Sequence, residues 1–141
     1  MNIHTTDGDM FFVYMHTNTI TGKKYIGMTY NPFMRFSGTG SAYKCNKRFY
    51  ADIVKYGWEN FEHRILCGGL TKLEAEYMES YYIEKFNTLF YRNGYNKVQS
   101  VREENYKPSE DKLKKAMAIT YDEMVTIVNK NTKVPIIICP G

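Results

Sequence analysis

The sequence has no apolar run near the roughly 18 residues that a membrane-spanning helix requires. Its first stretch, MNIHTTDGDMFF, lacks the basic start and long apolar core of a secretory leader, so a cytoplasmic protein is expected. Cysteine is scarce. Cys45, Cys67 and Cys139 are odd in number and far apart, which argues against a disulfide framework and a paired-cysteine zinc site and suits a reducing compartment. Excess charge of one sign is small as well. Nineteen Lys and Arg against fifteen Asp and Glu leave a formal net charge of +4, a mild lean towards anionic partners. No internal repeat or low-complexity tract interrupts the 141 residues, which are enough for one domain and a short extension.

Aromatic residues are plentiful, at 16% of the chain with thirteen tyrosines. MFFVYMH (Met10 to His16) and KKYIGM (Lys23 to Met28) are apolar β-forming runs, and TNTITG between them has hairpin-loop residues. In YNPF, Asn31 can cap a helix and Pro32 suits its first position. SGTGS is a flexible break. A helix is predicted over 42–56, with Phe49, Ile53 and Tyr56 at helical spacing and Gly57 as its stop. FEHRILC (Phe61 to Cys67) alternates like a third strand. TKLE (Thr71 to Glu74) reads as a capping box that opens a long helix reaching about Phe86, and RNGYN is a turn. This order predicts an α+β domain over 1–100, with a small, mainly antiparallel three-stranded sheet flanked by helices. Residues 101–141 read as a linker and a small C-terminal appendage. That appendage holds one or two short helices and a final apolar run, VPIIICPG, and serves as a small module or a dimer contact.

The chemistry begins in the hairpin. With the loop centred near Thr19 and Ile20, Tyr14 and Tyr25 oppose each other on one sheet face, joined by Phe12 and His16. A cross-strand aromatic pair is the plain meaning of that arrangement. Arg35 follows at the start of a short helix, close enough in sequence to fold back over the same face. A guanidinium fixed beside phenols can grip a phosphate with two parallel hydrogen bonds; a surface arginine is the plainer alternative. On the long helix, Ala75, Glu76, Tyr82 and Ile83 lie three and four positions from Glu79. Its carboxylate therefore falls in the apolar arc and needs a partner. That partner is either a salt bridge to Arg35 or a hard divalent ion held by one carboxylate and several waters. YKCNKRFY clusters Lys44, Lys47 and Arg48 among aromatics, which suits phosphate positioning as well as a solvated helix face. His16 reads as a strand-edge surface residue. His63, alternating with Phe61 and Ile65, reads as a core-facing or rim histidine.

Taken together, these residues resemble the GIY-YIG nucleases. Phe12-Val13-Tyr14 stands where the family has its first Gly-Ile-Tyr, and Tyr25-Ile26-Gly27 is the second motif at the family's usual separation. Arg35 matches the family arginine by its distance from that motif. EYMESYYIEKFNT resembles the helix bearing the metal-binding glutamate, which falls on Glu79, and GYN ends on Asn96 where the family has its terminal asparagine. KYGWENF looks like a stretch of phage and intron-encoded members. The resemblance covers about residues 10–98. Two positions depart from it. Phe12 replaces the first glycine, and Thr39 stands where many members have a histidine, with Tyr43 or His16 as its candidate replacement.

The resemblance implies a metal-dependent endonuclease that hydrolyses phosphodiesters of double-stranded DNA with Mg2+ or Mn2+. It further implies a homing-type enzyme of phage or mobile-element origin, acting as a monomer or a DNA-induced dimer. Tyr14 would take the proton of the attacking water, its phenol pKa lowered by Lys23, Lys24 or Arg35. Lysines precede the second motif in some relatives, as Lys24 does, although the assumed register puts Lys24 on the opposite sheet face. Tyr25 would hold the water or a phosphate oxygen, and Arg35 would neutralise charge developing on the phosphate. Glu79 would hold the metal, while Asn96 would orient phosphate or brace the site from behind. DNA grip would fall to Lys44, Lys47 and Arg48. A restriction or repair enzyme is the alternative within the class. A DNA-binding module without catalysis is the alternative outside it, favoured by Phe12 and Thr39.

Overall fold

All eight residues of the first strand, β1 (Phe11–Asn18), are buried. That fits its near-continuous apolar run, since a central strand is covered on both faces. In the computed structural model, which describes residues 9–99 and 106–131, β1 lies between β2 (Lys24–Thr29) and β3 (Phe61–Leu70) in an antiparallel sheet of order β2-β1-β3. The helices are α1 (Pro32–Phe36), α2 (Lys47–Tyr56), α3 (Lys72–Phe86), α4 (Glu110–Met117) and α5 (Tyr121–Asn131). The predicted final apolar run and residues 101–105 of the predicted linker lie outside the described residues. No helix among the described residues is long and apolar enough to cross a membrane.

The hairpin register differs from the sequence expectation. Tyr14 pairs with Gly27, and Tyr25 pairs with His16. The reason lies in the turn, where Asn18 Oδ1 accepts from the backbone N–H of Ile20 (2.9 Å) and Thr21 (3.2 Å). The Asn18 N–H donates to the Lys23 carbonyl at 2.9 Å, and Gly22 takes φ +82° to close the loop. Strand pairing thus continues to the ends of the loop instead of stopping short. Because partners move by two positions, side-chain parity survives. Tyr14 and Tyr25 remain on one face as diagonal neighbours, with ring centroids 6.3 Å apart.

The sheet separates two cores. On one face Val13, Met15 and Ile26 pack with Ala75, Met78 and Ile83 of α3. The capping box predicted for that helix is formed in full by Thr71 and Glu74. On the other face Tyr14, Tyr25, Tyr43, Phe49, Trp58 and Tyr95 make an aromatic core. Helix α2 starts later than predicted, at Lys47, because Asn46 caps it by accepting from the Phe49 N–H at 3.2 Å. The preceding Ser41–Tyr43 forms a separate 3-10 turn.

The outer edge of β2 is covered rather than left open. Tyr95 N–H donates to the Lys24 carbonyl at 2.9 Å, and the Asn96 amide pairs with both backbone groups of Ile26. The C-terminal helices pack on the first core: Ala116 of α4 is buried within it. Lys112 Nζ reaches Asp9 at 2.6 Å and Glu74 at 3.1 Å. At the end of α5, Asn131 Nδ2 donates to the carbonyls of Met10 (3.1 Å) and Tyr30 (3.0 Å).

Candidate active site

The aromatic face of the sheet is built around Tyr14, which has no exposed surface. Its ring lies directly over Gly27, where a Cβ would fall 2.4 Å from the hydroxyl oxygen and 2.5 Å from Cζ. The glycine of the second motif is therefore the seat of the tyrosine of the first. Tyr25, one turn of the pleat away, stacks on Phe49 with centroids 4.9 Å apart and is 5% exposed.

Tyr43 arrives from the 3-10 turn. Gly40, at φ +81°, makes this approach, and a side chain there would collide with Ile53 and Trp58. The Tyr43 hydroxyl donates to that of Tyr14 at 2.8 Å and lies 2.7 Å from Nε2 of His16. His16 Nδ1 is in turn 2.9 Å from Nδ1 of His63 on β3. His16 is wholly buried in the central strand, so the strand-edge surface position expected of it is corrected: β3 covers the edge that sequence alone leaves open. Tyr43 and His16, the two candidates for the place of the missing family histidine, bond to each other beside Tyr14. Thr39 is exposed.

Arg35 on α1 is buried at 8% exposure, and its charge acts on Tyr14, Tyr25, Tyr43 and His16. The short helix folds back over the tyrosine face as expected, and Phe36 next to Arg35 packs edge-on against Tyr14 at 6.1 Å. Glu79 of α3 is partly buried, and its charge acts on Tyr14 and Tyr25. Charges from two helices, Arg35 and Glu79, thus act on the same two phenols.

Burial sets the protonation of this cluster. It pushes the phenols of Tyr14, Tyr25 and Tyr43 well above their ordinary range, and Glu79 adds to the effect on Tyr14 and Tyr25. Arg35 pulls each of them down, but less strongly than burial pushes up. The lowered Tyr14 pKa expected from a nearby cation is therefore reversed, and Tyr14 is a neutral hydroxyl. Burial, then His63, then Arg35 hold His16 well below the usual imidazole range, so it too is neutral.

Lys24 lies on the other sheet face, where its Nζ donates to Thr17 Oγ1 at 3.3 Å; the face argument holds, and Lys24 does not join the phenols. Asn96 Oδ1 accepts from the Ile26 N–H and from Thr88 Oγ1, both at 2.8 Å, and its Nδ2 donates to the Ile26 carbonyl at 2.8 Å. These bonds brace the strand that carries Tyr25 and Gly27. Lys44, Lys47 and Arg48 are exposed, and the Arg48 guanidinium rests 4.4 Å from the Phe90 ring centre. The residue that sequence reasoning left out of the site is His63. Its alternation with Phe61 and Ile65 placed it on the correct face, but nothing local in the sequence points to His16 as its partner.

Among the described residues no group of three or more His, Cys, Asp or Glu gathers as a metal cage. Comparison with known proteins finds one relationship. No curated protein and no solved structure matches the chain significantly. The GIY-YIG catalytic domain matches it over residues 10–96, a span that includes Tyr14, Tyr25, Arg35, Glu79 and Asn96. The antiparallel three-stranded sheet flanked by helices agrees with that match, and the chain belongs to the GIY-YIG family of nucleases.

Proposed function

We propose that this protein is a divalent-metal-dependent endonuclease acting on double-stranded DNA. The observation that carries the reading is that buried Arg35 and partly buried Glu79 both act electrostatically on the phenols of Tyr14 and Tyr25. A stable core would be served better by apolar neighbours than by a cation, an anion and three phenols gathered together. Arg35 offers a planar pair of donors for a phosphate, most valuable as charge grows on its oxygens in the transition state. Tyr25 orients the water or a non-bridging oxygen. Glu79 would hold the metal: a single carboxylate fits an ion that keeps most of its water, as magnesium does and a caged zinc does not. When bound, that ion supplies Lewis-acid stabilisation of the leaving oxygen. Asn96 keeps the second motif in place, and Lys44, Lys47 and Arg48 position the duplex through its phosphates.

Phe12 is compatible with an active enzyme as well as with an inactive module. Its ring fills the space above Gly68, where a Cβ would sit 2.4 Å from it, so the lost family glycine is matched by a glycine on the neighbouring strand. Tyr14 and Gly27 beyond it keep their contact. A homing-type role encoded by a phage or mobile element is the favoured setting, supported by the KYGWENF stretch, which runs from the end of α2 into β3.

Supercoiled plasmid incubated with the protein and Mg2+ or Mn2+ tests the proposal. Nicking or linearisation that EDTA abolishes and Glu79→Ala lacks is the expected result. Equal DNA binding by wild type and Glu79→Ala, with cutting by neither across a range of divalent metals, would sink it.

A further inference from the structure

Tyr14 poses a problem that its neighbours answer. It has no exposed surface in the free protein, and burial keeps it a neutral phenol, so a proton taken there from a water admitted with the substrate has no open path back to solvent. Its hydroxyl nonetheless begins an unbroken series of short hydrogen bonds, 2.8 Å to Tyr43, 2.7 Å to His16 Nε2 and 2.9 Å from His16 Nδ1 to His63 Nδ1. The first three groups are 0%, 1% and 0% exposed, whereas His63 is only partly buried. His63 borders an open hollow of about 610 Å3, lined also by Gly38, Thr39, Trp58, Glu59 and Phe61. We propose that Tyr14, Tyr43, His16 and His63 form a proton relay that carries the proton of the attacking water from the buried phenol to the hollow beside His63. The inference rests on the nuclease reading above and adds to it the route by which the water is deprotonated.

Each member can donate and accept at once, as such a route requires. Before transfer, Tyr14 donates to Tyr43, Tyr43 to Nε2 of His16, and Nδ1–H of His16 to Nδ1 of His63. As the water oxygen bonds to phosphorus, its O–H bond breaks and the proton adds to the Tyr14 oxygen. The Tyr14 proton passes to Tyr43, that of Tyr43 to His16 Nε2, and that of His16 Nδ1 to His63 Nδ1. Tyr14, Tyr43 and His16 end as neutral as they began, and the single positive charge resides on His63 until its Nε2 proton leaves to solvent. The bond from phosphorus to the leaving oxygen breaks with the electron pair on that oxygen, which takes a proton from solvent. The 2.8 Å separation of the two hydroxyls serves donation in either direction, Tyr14 to Tyr43 before transfer and Tyr43 to Tyr14 after it. The inner members never carry charge, which is why a fully buried wire can serve where a buried tyrosinate would be costly.

His16 and His63 act through Tyr43 and Tyr14, so they are positioning and relay residues rather than contacts of the substrate. The test is single-turnover cleavage by wild type, His63→Ala, His63→Gln, and His63→Ala combined with Tyr43→Phe, each with and without free imidazole. His63→Gln keeps a hydrogen-bonding side chain of similar size but takes no proton. Both single variants are expected to bind DNA as wild type does and to cut roughly 10- to 100-fold more slowly, the scale of losing a general base. Imidazole entering from the hollow should restore much of the His63→Ala rate and none of the double variant's, because rescue needs an intact wire. Wild-type rates in His63→Gln, or equal rescue of the single and double variants, would overturn the relay while leaving the nuclease reading standing. An inactive wild-type protein would overturn both.

Discussion

The hydroxyl of Tyr14 occupies the place where a side chain on residue 27 would begin, 2.4 Å from the Cβ position of Gly27. Tyrosine and glycine come from different motifs on neighbouring strands, yet they are two halves of one contact. Gly27→Ala is expected to push the Tyr14 ring aside, breaking its bond to Tyr43. Overpacking of this kind destabilises by about 1–3 kcal/mol. Urea unfolding should register that loss, and single-turnover cleavage should fall further than DNA affinity does. A Gly27→Ala protein that cuts at the wild-type rate would separate the position of Tyr14 from catalysis.

Asn96→Ala tests the brace. It removes the partners of the Ile26 N–H, the Ile26 carbonyl and the Thr88 hydroxyl together. A buried polar group left without its partner costs about 1–3 kcal/mol, so a stability loss of about 3 kcal/mol or more is expected. At a temperature where the variant remains folded, its cleavage rate at saturating enzyme should fall by less than that of Arg35→Lys. The reverse order would give Asn96 a direct part in the chemistry.

Arg35→Lys keeps the charge but loses the planar fork. Folding and most DNA affinity should survive, because the grip is proposed to lie with Lys44, Lys47 and Arg48. The rate should drop sharply, since the lost contacts strengthen as charge develops in the transition state. Single-turnover cleavage and affinity are measured at one salt concentration. Weakened affinity with an unchanged saturating rate would make Arg35 a docking residue.

Buried neutral His16 makes the fold sensitive to acid. Its folded pKa lies well below the ordinary value, so the unfolded chain takes up a proton that the folded chain refuses. Stability is full above about pH 6.5, the unfolded value, and falls by about 1.4 kcal/mol per pH unit below it until the folded pKa is reached. His63, also pushed down by burial, acts in the same direction. Urea unfolding from pH 7.5 to 5.5 should show this decline in wild type and a shallower one in His16→Gln. Parallel curves would show that His16 accepts its proton without unfolding.

The parts of this fold that repeat or punctuate locally were legible in the sequence: the two β-runs, the Asn31-Pro32 helix start, the capping box at Thr71 and Glu74, and the α+β order. The aromatic face was legible too, because a register error of two positions leaves parity unchanged, and Tyr14, His16 and Tyr25 stay together. The partners across that face were not. Asn18 folding under its own turn decides whether Tyr25 meets Tyr14 or His16, and side-chain bonds of that kind leave little trace in a hydrophobic pattern. The alliance of His16 with Tyr43 and His63 spans 27 and 47 residues of chain, and it exists only once β3 has joined β1 and Gly40 has turned the following segment inward.

The last turn of α5 grips both ends of the motif hairpin at once. Asn131 hydrogen-bonds the backbone where β1 begins and where β2 has just ended, and Tyr121 at the other end of the same helix meets Phe33 of α1, with ring centroids 6.0 Å apart. The family match stops at residue 96, well before these helices. A fragment trimmed to the matched span would keep every catalytic candidate yet lose the outer latch on the strands and helix that present them. Ala116 would leave the core, and the carbonyls of Met10 and Tyr30 would lose their donor. For this chain, the smallest stretch recognisable as the family domain is smaller than the body that holds its hairpin shut.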